Sequence, residues 1–388
     1  MILHSWMDKD VAQHTFFDDL ERIVELPTAF SKSKSSRLAT ESRPLYARRI
    51  RELCQYLEYH PVYGQVRVDV AIGQLSLLVI EDFYLHLEQR GLGSSTVRGY
   101  EISVREFCKW LATSHAGYTH KQNLYEGQTF LTKLPSTRLP SLTDVKKVIK
   151  LLKAMNFEEH RLVGHFMYDA GLRISEVPRV MKSDIPDPML YPRDTMYFPL
   201  FVSGSKGRGD QFKPRITILT RAMISRIHKY HNSKQYLMHY RKHARRSPNR
   251  HSDDYPAFLN TEGNPITKDA IETFIRDAAI RADVKVSGHL LRHGTAYSVL
   301  RSEHGKTMVD NLIVAQKVLG HSVLSTTETY TRVPAAALIR SSVGEANDPV
   351  IFRFEEAQNI FDETYIPSHA HRRKRRGIGD PHVKNPQN

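Results

Sequence analysis

Three short segments of the chain combine residues able to hold an anion, accept a proton and attack an electrophile. The first, Ala170-Gly171-Leu172-Arg173-Ile174-Ser175-Glu176, flanks an arginine with apolar residues and sets a carboxylate three positions on. That pattern describes a cation which the fold partly buries and must orient, although a structural salt bridge on a helix has the same appearance. The second, Gly288-His289-Leu290-Leu291-Arg292-His293, places His289 and Arg292 at i and i+3, so both reach one surface point if the segment is helical. Ser287-Gly288 in front of them reads as a helix start, where backbone donors favour an anion. An arginine beside a histidine disfavours the imidazolium and leaves the ring able to accept a proton near neutral pH; a His-x-x-Arg pair taken alone is nevertheless common. In the third segment, Leu319 to Thr331, His321 follows a glycine turn and Tyr330 ends a short capped helix. Tyr330 lies in the polar run Thr-Glu-Thr-Tyr-Thr-Arg, an odd setting for a core aromatic, although a plain surface tyrosine is an ordinary alternative in a chain with 18 of them.

These segments must be carried by elements. Residues 195–203 and 212–219 are short β-like runs joined by Gly204-Ser-Lys-Gly-Arg-Gly-Asp210, a hairpin signature, and Pro199 and Pro214 suit an edge ribbon. Helical patterns fill most of the remainder from 220 to about 340, and Ser141 and Thr143 offer caps for a helix carrying Val145, Val148, Ile149 and Leu152. Upstream, a helix after Pro44 places Tyr46, Ile50, Leu53 and Leu57 on one stripe, a second spans roughly 76–90 and stops at Gly91, and a third follows Ser94-Ser-Thr96. The third sets Val97, Tyr100, Val104, Phe107 and Leu111 on one side and Arg98, Arg105 and Lys109 on the other, a basic face that suits a phosphate backbone or simply solvent. The expected organisation is therefore an N-terminal extension (1–40, partly flexible, with the polar stretch 31–37 as a joint or DNA-contacting arm), a helical domain (41–131), a linker (132–140) and a larger mixed α/β domain (141–345). A C-terminal segment (346–388) holds an amphipathic helix at 351–363 and a basic cluster at 369–376, too polar to pack. The histidine-rich stretch 226–250 pairs His239 with His243 at i and i+4. Without a supporting acid or cysteine, it reads as a DNA-facing or solvated basic segment rather than a metal site.

Lysine and arginine number 56 against 42 acids in 388 residues, a formal charge of +14 on a chain of ordinary hydrophobicity (40%) and aromatic content (9%). Such a folded basic protein favours polyanions, nucleic acid first. No apolar run approaches the ~18 residues of a spanning helix, so no membrane role is expected, and Asp8, Lys9 and Asp10 interrupt the start before a signal-peptide core forms. Two cysteines, Cys54 and Cys108, sit in helical apolar patterns and read as buried free thiols of a cytoplasmic protein, nucleoid-associated in a bacterium.

In this order and with these contexts, the segments over about 140–335 strongly resemble the tyrosine recombinase (phage-integrase) family: Gly-Leu-Arg-x-Ser-Glu, a hairpin lysine, His-x-x-Arg, Leu-Gly-His and a terminal tyrosine. The resemblance implies a mainly α fold with a small β component, in which a helical core-binding domain and a mixed α/β catalytic domain form a C-shaped clamp on duplex DNA. It implies that Arg173 and Arg292 clamp a scissile phosphate, Tyr330 attacks phosphorus to leave a 3′-phosphotyrosyl link, and His289 assists removal of the phenolic proton. Lys206, chosen over Lys213 because it precedes a glycine at the hairpin tip, protonates the departing 5′-oxygen; His321 bonds the phosphate and Glu176 holds the cations. Arg208 is at most an additional phosphate contact. Guanidiniums supply the positive charge that nucleases take from divalent ions, so no metal or other cofactor is expected. The implied partners are double-stranded DNA and three further copies in a synaptic tetramer working through a Holliday junction, with accessory recombinases or DNA-bending proteins where needed. A type IB topoisomerase-like relaxing enzyme and a catalytically silent DNA-binding accessory subunit are the competing readings; the filled set of six polar residues argues against the second.

Overall fold

The computed structural model describes residues 2–8, 11–34, 42–133, 143–206, 212–246, 255–301, 308–320 and 353–367. These fall into two compact units, one up to residue 133 and the other comprising 143–205 and the described residues from 212 onward. Among the described residues the architecture is mainly helical, with two two-stranded ribbons. No helix among the described residues is long and apolar enough to cross a membrane.

The first unit opens with an antiparallel hairpin, β1 (Ile2–Asp8) and β2 (Val11–Phe17), in which Ile2 pairs with Phe17. Five helices follow: α1 (Glu25–Lys34), α2 (Arg43–Tyr59), α3 (Val68–Gly73), α4 (Leu77–Gln89) and α5 (Ser94–Leu111). The apolar stripes anticipated on α2, α4 and α5 are the buried faces, with Ile50, Leu53, Leu57, Ile80, Val97, Val104, Phe107 and Leu111 all inaccessible. Periodicity failed to foresee that the extension belongs to this core. Phe16, Val24 and Phe30 are buried with it, and Phe30 meets Phe107 edge-on at 5.0 Å between ring centroids. Ser31 to Lys34, expected to be a joint, complete α1, and Lys34 Nζ donates to Glu106 at 2.7 Å.

Thr132, expected to open the linker, is held to this unit. Glu101, fully buried on α5, accepts from the backbone amides of Leu131 (2.6 Å) and Thr132 (3.0 Å), which fastens residues 131–132 to the first unit. The predicted basic face of α5 serves the same end. Arg98 donates to the carbonyl of Thr132 and lies 3.4 Å from the centroid of the Phe130 ring, while Arg105 donates to the carbonyls of Thr129 and Gln128 and stacks on Tyr125 and Phe130. Their position on one face was legible, but these two guanidiniums hold down their own chain; Lys109 is the exposed member of the trio.

In the second unit α6 (Val145–Lys153) is capped by Asp144, whose side chain accepts from Lys147 N at 2.8 Å, rather than by Ser141 or Thr143. Then come α7 (Glu158–Ala170), the ribbon β3 (Tyr197–Lys206) and β4 (Phe212–Thr220), α8 (Arg221–His231), α9 (Lys234–Arg246), α10 (Lys268–Ala282), α11 (Gly288–Arg301) and α12 (Met308–Leu319). The main core gathers Leu151, Leu162, Phe166, Phe198, Leu219, Ile227, Ile271 and Leu291 around α7. A satellite cluster of Ala296, Leu300, Leu312, Ala315 and Leu319 seats α12 on α11. The histidine-rich stretch is two helices broken at Asn232–Ser233; its Lys229, Lys234, Arg241 and Arg245 are exposed, but its histidine pair is not part of that solvated side. His239 and His243 are buried, and His243 Nδ1 lies 2.9 Å from the carbonyl oxygen of Gly263, because the apolar side of α9 turns inward and takes them with it. The terminal helix α13 (Arg353–Thr364) packs on α6, α7 and α8 of the same chain through Ala357, Ile360 and Phe361. The basic cluster at 369–376 lies outside the described residues.

Candidate active site

The site is organised by the C-terminus of α7. A helix ends with carbonyls that have no partner within the helix and a partial negative charge. Here the partners arrive from two other elements. Thr295 of α11 donates to the carbonyl of Tyr168, and Thr217 of β4 donates to that of Ala170 at 2.8 Å. The carbonyl of Gly171 accepts from two guanidiniums, Arg292 Nη1 and, at 3.4 Å, Arg215 Nη2. Gly171 itself is left-handed (φ +62°), and a Cβ there would sit 3.1 Å from both Leu319 Cδ2 and Thr295 Cγ2.

Immediately after this cap, the turn at 173–176 is held by Glu176. Its carboxylate accepts from the backbone N of Arg173 (2.8 Å) and from Arg173 Nη1 (3.0 Å), and also from Arg215 Nη2 (2.9 Å). Glu176 is 1% exposed. Burial alone would raise its pKa, but hydrogen bonds and charge from Arg215, then from Arg173, outweigh it and hold the carboxyl below its ordinary value. The carboxylate therefore stays charged and fixes two cations of unequal access: the Arg173 side chain is 36% exposed and that of Arg215 only 7%.

The third cation, Arg292, is buried and bridges the carbonyls of Gly171 and Leu319, joining the ends of α7 and α12. Arg215 Nη1 reaches the neighbouring carbonyl of Val318. Gly320, after these carbonyls, is left-handed (φ +63°), and a Cβ there would stand 2.3 Å from Arg215 Cδ. The beginning of α11 approaches the 172–176 turn equally closely. Ser287 Oγ caps it by accepting from Leu290 N (3.3 Å), and a Cβ on Gly288 would lie 2.2 Å from Ile174 Cδ1. His289, one position on, has an accessible ring whose pKa is lowered by desolvation against the helix, then by Arg292 and Arg173. It meets His293 edge-on at 4.2 Å, and His293 is pushed down to about 4, chiefly by burial.

Of the anticipated site, Arg173, Glu176, His289 and Arg292 thus lie in one neighbourhood. Lys206 is the last residue of β3, its side chain outside the described part; Arg208, His321 and Tyr330 also lie outside the described residues. The residue that sequence reasoning missed is Arg215. Its signal was alternation: Thr217 and Leu219 face inward along β4 while Pro214 and Ile216 face solvent, so Arg215 falls on the inner face of a strand. A cation there needs a carboxylate, and Glu176 is it. Chemically, the arrangement offers an accessible guanidinium, a neutral histidine and a rigid backing of fixed charge, which suits recognition of a phosphate.

The profile of the Phage integrase family matches residues 142–336, the span that holds the whole cluster. The tyrosine recombinase XerA of Pyrococcus furiosus is 29% identical over 306 residues, covering 69% of this chain and 94% of that protein. Among solved structures, XerH site-specific recombinase bound to palindromic difH substrate in a post-cleavage complex superposes with a TM-score of 0.56 at 16% identity, covering 78% of this chain and 79% of that one. The Tn1549 transposon integrase in complex with a circular intermediate DNA gives 0.57 at 15% identity, covering 81% and 98%.

Proposed function

Because the chain belongs to the phage integrase family, we propose that it is a site-specific DNA recombinase that cuts and rejoins duplex DNA through a 3′-phosphotyrosyl link at Tyr330. The observation that carries this reading is the trio Arg173, Arg292 and His289 gathered beside one helix end, with Glu176 holding Arg173 by two hydrogen bonds. Arg173 and Arg292 neutralise the non-bridging oxygens of the scissile phosphate as charge builds in its pentavalent state. The Tyr330 oxygen bonds to phosphorus while the bond to the 5′-oxygen breaks; His289 assists removal of the phenolic proton, Lys206 delivers one to the departing oxygen and His321 bonds the phosphate. Because the phosphoester is kept on a phenol of pKa about 10, a 5′-hydroxyl from a second duplex can reverse the step and complete the exchange. Four copies acting in turn resolve a Holliday junction. The named complexes of XerH with its palindromic difH substrate and of the Tn1549 integrase with a circular intermediate DNA support duplex DNA as the partner.

The test is a nicked suicide duplex carrying the ends of the host element, incubated with wild type and Tyr330→Phe in the presence of EDTA and resolved on a denaturing gel. A covalent protein–DNA adduct that disappears in Tyr330→Phe is the expected result. DNA binding with no adduct from the wild type would overturn it in favour of a silent accessory subunit, and supercoil relaxation without recombinant product would favour a topoisomerase.

A further inference from the structure

We propose that Arg215 is a positioning residue of the recombination site, one that sets the phosphate-binding Arg173 through Glu176 and at the same time fixes the end of α12. The inference rests on the reading above and extends it to a side chain with no direct contact to the phosphate. Three observations converge. Arg215 grips the carboxylate that orients Arg173 from a distant strand, with Nη2 2.9 Å from Glu176 Oε2 and Nε 3.5 Å from Oε1. Its other nitrogen donates to Val318 O, next to the Leu319 carbonyl held by Arg292, and so ties down the last turn of α12 just before His321. Gly320 is the residue that lets the Arg215 chain pass, since a Cβ there would collide with it.

The physical argument is one of shared geometry. Within the Arg173–Glu176 pair alone, the backbone N of Arg173 anchors the carboxylate to the turn, but the guanidinium is held by a single hydrogen bond and the carboxylate can turn about its anchor. A second, buried guanidinium on the far side of the carboxylate removes that freedom. The same guanidinium spans Glu176 and the α12 terminus, so a displacement of α12 moves the carboxylate and hence Arg173. Arg215 would thus couple the phosphate clamp to the chain that leads into His321 and Tyr330. Lysine could keep the charge but offers a point donor in place of a planar fork reaching both partners.

The experiment uses the full chain and measures the rate of adduct formation in preformed complexes on the suicide duplex, alongside equilibrium binding of that duplex. Arg215→Gln is expected to slow adduct formation by about 10²-fold while affinity changes by less than about threefold, with Arg215→Lys recovering part of the rate. In a Glu176→Gln background the same Arg215→Gln change should cost much less, because both act through one contact. A wild-type rate in Arg215→Gln, an equal loss in affinity and rate, or penalties that simply multiply with Glu176→Gln would each overturn the proposal. If Arg215→Gln fails to fold, Arg215→Lys decides: a wild-type cleavage rate there refutes the need for the fork. Hydrogen exchange of the free protein is the second arm, with faster exchange at the end of α12 expected in the variant and unchanged exchange sinking the tether. No adduct from the wild type would defeat the recombinase reading itself, and the exchange arm, which needs no DNA, would still decide the tether.

Discussion

Glu176 is the smallest unit on which the site depends. It is a buried carboxylate kept charged by Arg215 and Arg173, so its folded pKa lies below its unfolded one. The resulting stabilisation is fully present above the ordinary carboxylate range and is lost as pH falls through the lowered folded value. Glu176→Gln should therefore destabilise the protein at neutral pH and flatten that part of the acid limb; urea unfolding from pH 7 downward reads both, and an unchanged acid limb would show that Glu176 is not its source. Arg292 works differently. Its guanidinium spans two backbone carbonyls, those of Gly171 and Leu319, at the ends of α7 and α12. Arg292→Lys keeps the charge but cannot span both, and we expect adduct formation to fall by at least about 10²-fold, measured as single-turnover cleavage.

Elements meet at the site through glycine. The start of α11 can approach the 172–176 turn because Gly288 has no side chain to strike Ile174 Cδ1 and Met167 Cε. Gly288→Ala is an overpacking change expected to cost about 1–3 kcal/mol, with a matching fall in thermal midpoint and slower cleavage as His289 moves away from Arg173. A variant as stable and active as wild type would mean that α11 can retreat freely. The terminal helix is secured by a different buried cation. Arg226, fully inaccessible, donates to Glu158 at 2.7 Å and to Thr364 Oγ1 at 2.8 Å, and Glu158 also accepts from Ile366 N at 2.9 Å. Breaking such a buried pair costs about 3–5 kcal/mol. Arg226→Ala should lower stability by that order and speed proteolysis after residue 353, which limited digestion followed by mass spectrometry can check.

At the scale of the whole molecule, histidines set the acid limit. Burial holds His160, His231 and His293 down to about 4, against an ordinary value of 6.5. The unfolded chain therefore takes up protons that the folded one refuses between pH about 6.5 and about 4, and stability must fall as pH drops through that window. Denaturant midpoints across it test the sign; a midpoint constant from pH 7 to 4.5 would contradict the burial of these rings. The excess of 56 lysines and arginines over 42 acids bears instead on the proposed duplex partner. Duplex affinity should fall linearly on a log–log plot against salt as counterions are displaced.

Much of the site was legible because its signals are local. Arg173 with Glu176, and His289 with Arg292, are pairs three residues apart whose contact is set by the turn or helix they occupy. Ser287 opens α11 as the Ser287-Gly288 pair indicated, and the apolar stripes of α2, α4 and α5 declared their buried faces. What stayed hidden depends on partners brought from afar. Nothing near Arg98 and Arg105, read as a DNA-facing or solvated face, tells that they also hold the chain at 128–132 against α5, and Phe30 looks like part of a loose extension until it meets Phe107. Arg215 reads as one more strand cation until Glu176, 39 residues away, and Val318, 103 residues away, arrive beside it. The sequence by itself determined which residues could do chemistry and which faces could be buried, since both follow from near neighbours along the chain. Only the tertiary structure decided which buried polar groups each cation must satisfy, because an unpaired carbonyl or carboxylate in the interior is too costly to leave, and its partner is whatever charge the packing of distant elements delivers.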